Sequence, residues 1–166
     1  MRGMKAGLAF ALALTMTQAM TGAARADDFP LAGTWTLTLA DQITASGARA
    51  HDYGEAPKGR LMIDSQGRYS LQIYKSERTG FASGDKKRGT AEEYADAVLG
   101  SSTHYGTIVI DDVRHALLFK IAGASFKTWE GSTQARPYVL NGDVLSYRVP
   151  ARPDGSTAIS EWKRDR

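Results

Sequence analysis

Arg136 lies in the run Arg136-Pro137-Tyr138-Val139-Leu140, whose aromatic and apolar residues read as a strand. Its guanidinium is charged at any physiological pH. Turned inward, it needs either an internal carboxylate or an anionic ligand beside it. Tyr69, Tyr105 and Phe119, on other strand-like runs, offer apolar surface, and the two phenols add hydrogen-bonding groups. Tyr138 shares the strand phase of Arg136, and His115 falls in phase with Leu117 and Phe119. These six residues, Tyr69, Tyr105, His115, Phe119, Arg136 and Tyr138, are the expected contacts of a small hydrophobic or amphipathic ligand, with an apolar wall and a few polar groups to orient it. For the aliphatics Leu71, Ile73 and Leu117 simple packing competes with this role, because a small closed sheet can be filled by its own side chains.

Other chemistries find less support. The histidines are His51, His104 and His115. His104 and His115 flank one hairpin, yet a metal site would want a third ligand and no spacing motif supplies one. No metal, other cofactor or catalytic residue is therefore expected. A Ser-His-Asp hydrolase would want a nucleophile-elbow glycine pattern, which is missing, and Asp111-Asp112 reads as a turn. An enzyme reading survives as a cavity that steers the cyclisation or isomerisation of a hydrophobic intermediate, with His115 or Tyr105 as proton donor. A third reading is a surface-binding module using the segment from Ala40 to Lys58, Tyr53 and the basic run Lys86-Lys87-Arg88.

Residues 1–26 read as a secretory signal. Arg2 and Lys5 give a charged start, Ala6 to Met20 an apolar stretch, and Ala24-Arg25-Ala26 a small-x-small cleavage site. A membrane anchor would need roughly 20 apolar residues, and this stretch is shorter and broken by Thr15, Thr17 and Gln18. The chain is thus expected to be exported, periplasmic or secreted, beginning at Asp27. Of its 21 Lys and Arg, three fall in this leader, while none of its 18 Asp and Glu do, so the remainder is balanced. That balance offers no footing for nucleic acid or an anionic membrane as partner. There are no cysteines, so stability must come from packing and sheet closure. Residues 27–166 suffice for one domain with a core.

The elements that must position the six residues are mostly strands. Tyr69, Leu71 and Ile73 alternate with Ser70 and Gln72 over Arg68 to Lys75, and Trp35, Leu37 and Leu39 alternate with threonines after Gly33. Leu61 to Asp64, turning at Ser65-Gln66-Gly67, forms a hairpin with Arg68 onward. Thr103 to Ile110 and Arg114 to Ile121 form a second, apolar on both faces, and Arg136 to Leu140 and Val144 to Val149 a third around Asn141-Gly142. Thr157 to Arg164 is the last strand. Trp35 near one end and Trp162 with Arg164 near the other suggest that first and last strands pair, an aromatic capped by a cation at the seam. The helix is Thr90 to Gly100, opened by the capping box Thr90-Ala91-Glu92-Glu93, with an apolar stripe of Ala91, Tyr94, Ala95, Val98 and Leu99 expected to pack on the barrel. Ala40 to Lys58 reads as a long loop.

In order and spacing these segments resemble the bacterial and fungal lipocalin-like domain family. The likeness rests on Leu31-Ala32-Gly33-Thr34-Trp35, Gly59-Arg60-Leu61, Gly67-Arg68-Tyr69, Phe81 to Asp85, Gly89 to Glu93, Tyr105-Gly106-Thr107, Trp129-Glu130-Gly131, Arg136-Pro137-Tyr138 and Leu140 to Leu145. It implies an all-β, antiparallel lipocalin-like barrel of about eight strands with one short packed helix and an interior cavity. The chain departs from the family pattern at Lys120, where a histidine is common.

Overall fold

The computed structural model describes residues 29–166; the expected leader lies outside them. Nine strands follow in chain order: β1 (Gly33–Ile43), β2 (Arg49–Ala50), β3 (Lys58–Ile63), β4 (Arg68–Tyr74), β5 (Ser101–Asp111), β6 (Ala116–Ala124), β7 (Thr133–Asn141), β8 (Val144–Arg148) and β9 (Thr157–Arg164). Helix α1 (Ala91–Leu99) joins β4 to β5, and a 3-10 turn at Lys127–Trp129 joins β6 to β7. Each strand from β3 to β9 pairs with the next, β1 pairs with both β3 and β9, and β2 pairs only with β1. Eight strands therefore close into an antiparallel barrel, as the alternating runs predict, and β2 is a short flap on β1.

Closure happens at the expected seam. Trp35 of β1 stands opposite Arg164 of β9, and the guanidinium carbon sits 4.1 Å from the indole centroid. The Trp35 indole N–H donates to the Leu31 carbonyl at 3.0 Å, and Arg164 donates to the carbonyls of Ala32 and Pro30. Residues 30–32 are thereby folded across one barrel end, with Leu31 buried there as a plug. Gly33, at φ +134°, leaves room for this, since a Cβ there would lie 3.1 Å from Arg164 Nη1. Inside, Leu37, Leu61, Leu71, Ile108, Leu117, Phe119, Leu145 and Trp162 form one continuous core.

Three expectations change. The register of β1 shifts between Leu37 and Leu39. This bulge adds a residue, so Leu39 leaves the buried phase and Ala40 takes it. The long loop is shorter than read: β1 continues to Ile43, turns at Thr44–Gly47 and returns as β2, with Gln42 opposite Ala50. Helix α1 has the capping box, with the Glu93 amide donating to Thr90 Oγ1 at 3.2 Å and the Thr90 amide to Glu93 Oε2 at 2.8 Å. Its apolar stripe, however, is not buried, and Val98 and Leu99 are 63% and 68% exposed. The reason is a polar tether. Asp96 accepts from the Thr79 amide and Glu93 from the Ala82 amide, both at 2.7 Å, and Tyr94 packs edge-on against Phe81. The helix is thus held to its own preceding loop.

Candidate functional site

At the end away from the Trp35 plug the barrel opens into a cavity of about 240 Å³. Leu71 and Ile73 of β4 line its wall, Tyr53 and Trp129 reach it from connecting segments, and His104, Arg136 and Tyr147 reach it from β5, β7 and β8.

Arg136 is only 4% exposed. On β7 it shares the inward phase of Gln134, and its Nη2 donates to Gln134 Oε1 at 2.8 Å and to His104 Nε2 at 3.2 Å. Its guanidinium lies 3.9 Å from the Phe119 centroid and 5.2 Å from that of Tyr147. Both rings give cation–π support. Burial lowers the pKa of Arg136, with Tyr147 and Tyr69 opposing the shift, but a guanidinium starts high enough to stay charged.

These contacts set the protons of the neighbours. Because Arg136 can only donate, His104 Nε2 must be the acceptor and Nδ1 must carry the hydrogen. Nδ1 then donates to the Tyr69 hydroxyl oxygen, 2.8 Å away. Burial, reinforced by the Arg136 charge, pulls His104 down to about 3, so the ring is neutral at ordinary pH. Burial also pushes Tyr69 and Tyr147 upward. Around Tyr147 stand Arg136, Trp162 and Ser160, each of which pulls its phenol back toward ionisation. They approach without completing a hydrogen bond: the Tyr147 hydroxyl, Arg136 Nε and Trp162 Nε1 are buried with no partner among the described residues.

The six residues expected from the sequence divide evenly. Tyr69, Phe119 and Arg136 come together in this cluster, with Arg136 on the cavity surface and the other two supporting it. Tyr105, His115 and Tyr138 do not line the cavity. Tyr105 is 58% exposed on the outer face, its ring lying over Gly123, where a Cβ would come within 2.4 Å of it. The β5–β6 hairpin is apolar in both phases, so its sequence does not reveal which phase faces inward; in the fold it is His104, Gly106 and Ile108. His115 belongs to the turn before β6, at φ +50°, and stacks on Tyr138 at 4.7 Å at the far end of the hairpin from His104. His104 and His115, which flank this hairpin, therefore lie at opposite ends of it. Neither His115 nor Tyr105 is placed to donate a proton into the cavity. Lys120 is exposed and faces away from the interior.

Sequence reasoning missed Tyr147, Gln134 and Trp129 as cavity residues and left His104 unassigned. One signal was available: Leu145 and Tyr147 alternate with Ser146 and Arg148, as Ala158, Ser160 and Trp162 do with their neighbours on β9.

The mouth carries the charge pairs. Asp41, buried on β1, accepts from Arg49 and lies 3.0 Å from His51 Nδ1. Asp52 sits 3.6 Å from Arg152. These pairs clasp the β1–β2 flap, with Tyr53, to the rim.

Residues 32–164 match the model of a family described as a lipocalin-like domain. No curated protein and no solved structure matches the chain.

Proposed function

The chain belongs to the lipocalin-like domain family, and from that premise we propose that it is an exported protein that binds a small hydrophobic or amphipathic molecule in the open end of its barrel. The observation that carries this reading is the cavity itself. It is walled in part by Leu71, Ile73 and Val149, bordered by the aromatic rings of Tyr53 and Trp129, and carries polar groups that include Arg136, Gln134 and His104. Such a lining favours an apolar body with one oriented polar end. Export is supported by the charged start, apolar stretch and small-x-small site of residues 1–26.

Native mass spectrometry of the protein from its own host tests both parts. An intact mass beginning at Asp27, with an extra mass that leaves on denaturation, is the expected result. Replacing Ala158, a small residue on the cavity wall, with Trp should abolish the extra mass while leaving the protein folded. A bare mass against a pool of host metabolites would count against the reading.

A further inference from the structure

The cavity floor has an unbalanced charge. Among the described residues two carboxylates line the cavity, Asp41 and Asp52, and both are engaged at the mouth, by Arg49 and His51 and by Arg152. Arg136 is paired with no carboxylate among these residues. Its partners Gln134 and His104 are neutral acceptors, and the two rings near its guanidinium are neutral as well. Removing one partner's charge from a buried ion is costly, because the remaining charge keeps its desolvation penalty without compensation. An acceptor that brings negative charge would offset that penalty.

The same place is short of acceptors. Arg136 Nε and Trp162 Nε1 can only donate, and both are buried without a partner among the described residues. The Tyr147 hydroxyl is the third such group. Arg136, Trp162 and Ser160 stand around its oxygen without bonding to it, and its own proton has no acceptor among the described residues. A water would serve these donors but would leave the charge of Arg136 unmatched.

We propose that the floor of the cavity is a carboxylate site, in which Arg136 and the Tyr147 hydroxyl hold the acid group of an amphipathic ligand whose apolar part lies along Leu71 and Ile73. Trp162 acts as a positioning residue, its ring stacked on that of Tyr147. This rests on the ligand-binding reading above and names the chemical class of its ligand.

The test is calorimetric titration of the purified protein with octanoate, 1-octanol and acetate. Octanoate should bind at least tenfold more tightly than octanol, and acetate should compete poorly with it, since acetate lacks the chain. Arg136→Gln should weaken octanoate about tenfold or more, to the level of octanol, while octanol changes little. Tyr147→Phe keeps the ring and should weaken octanoate several-fold with octanol unchanged, which tests the site even if Arg136→Gln fails to fold. Equal binding of octanoate and octanol would overturn the carboxylate site and leave the cavity reading intact. Acetate matching octanoate would reduce the site to one for small free anions and overturn the amphipathic ligand. Binding of none of the three would remove the ligand reading itself.

Discussion

Arg136, His104 and Tyr69 form a hydrogen-bonded chain that fixes the tautomer of His104, and the neutral ring has a measurable consequence. In the unfolded chain His104 takes up a proton near pH 6.5, its ordinary value, whereas in the barrel it stays neutral down to about 3. Between those values the unfolded state binds one more proton, so stability rises with pH. It is fully present above about pH 6.5 and falls by about 1.4 kcal/mol per pH unit as the pH drops toward 3. His104→Gln keeps a donor and an acceptor at the position and should flatten this dependence by about one proton. Urea unfolding of both proteins between pH 7 and 4.5 measures it, and parallel curves would show that His104 is not held neutral. Arg136 was legible as a residue needing a partner, because an arginine among strand-forming aromatics is a conspicuous charge. His104 and Tyr105 are adjacent on a strand apolar in both phases, so no local pattern says which of them faces inward.

At the level of elements, local rules were obeyed where local contacts decide the outcome. The capping box of α1 is complete because both of its bonds lie within four residues. Its orientation is a different matter, decided by Asp96 and Glu93 reaching back to the Thr79 and Ala82 amides. Thr90→Ala should cost the helix about 1 kcal/mol. Since α1 buries none of its residues, the loss should appear as faster amide exchange over 91–99, with the melting temperature of the barrel nearly unchanged. A marked drop in melting temperature would mean that the helix belongs to the cooperative unit. The bulge in β1 likewise escapes the alternation of Trp35, Leu37 and Leu39, because one inserted residue reverses the phase and leaves no mark in composition.

For the whole molecule, one end is sealed and the other is open. The seal depends on Trp35, fully buried and covered by Arg164. Trp35→Ala should destabilise the protein by about 3 to 5 kcal/mol, since it opens a cavity and strips the cation of its ring. Denaturant unfolding checks this, and an unchanged midpoint would contradict the closure of β1 on β9 through this residue. The open end carries the opposite expectation: substitutions there, such as Tyr147→Phe, should alter binding more than stability.

The sequence by itself determined the number and order of the barrel strands, the pairing of the first with the last, the position of the helix and the need of Arg136 for a partner. Each of these follows from period-two patterning, turn chemistry, a bulky aromatic near a chain end or a charge among apolar neighbours, all properties of short stretches. Only the tertiary structure decided that His104 and not Tyr105 faces inward, that Tyr147, Trp162 and Arg136 come together from β8, β9 and β7, and that both carboxylates of the cavity are engaged at its mouth. Those facts depend on register and bulges between strands distant in sequence, where a shift of one residue exchanges inside for outside.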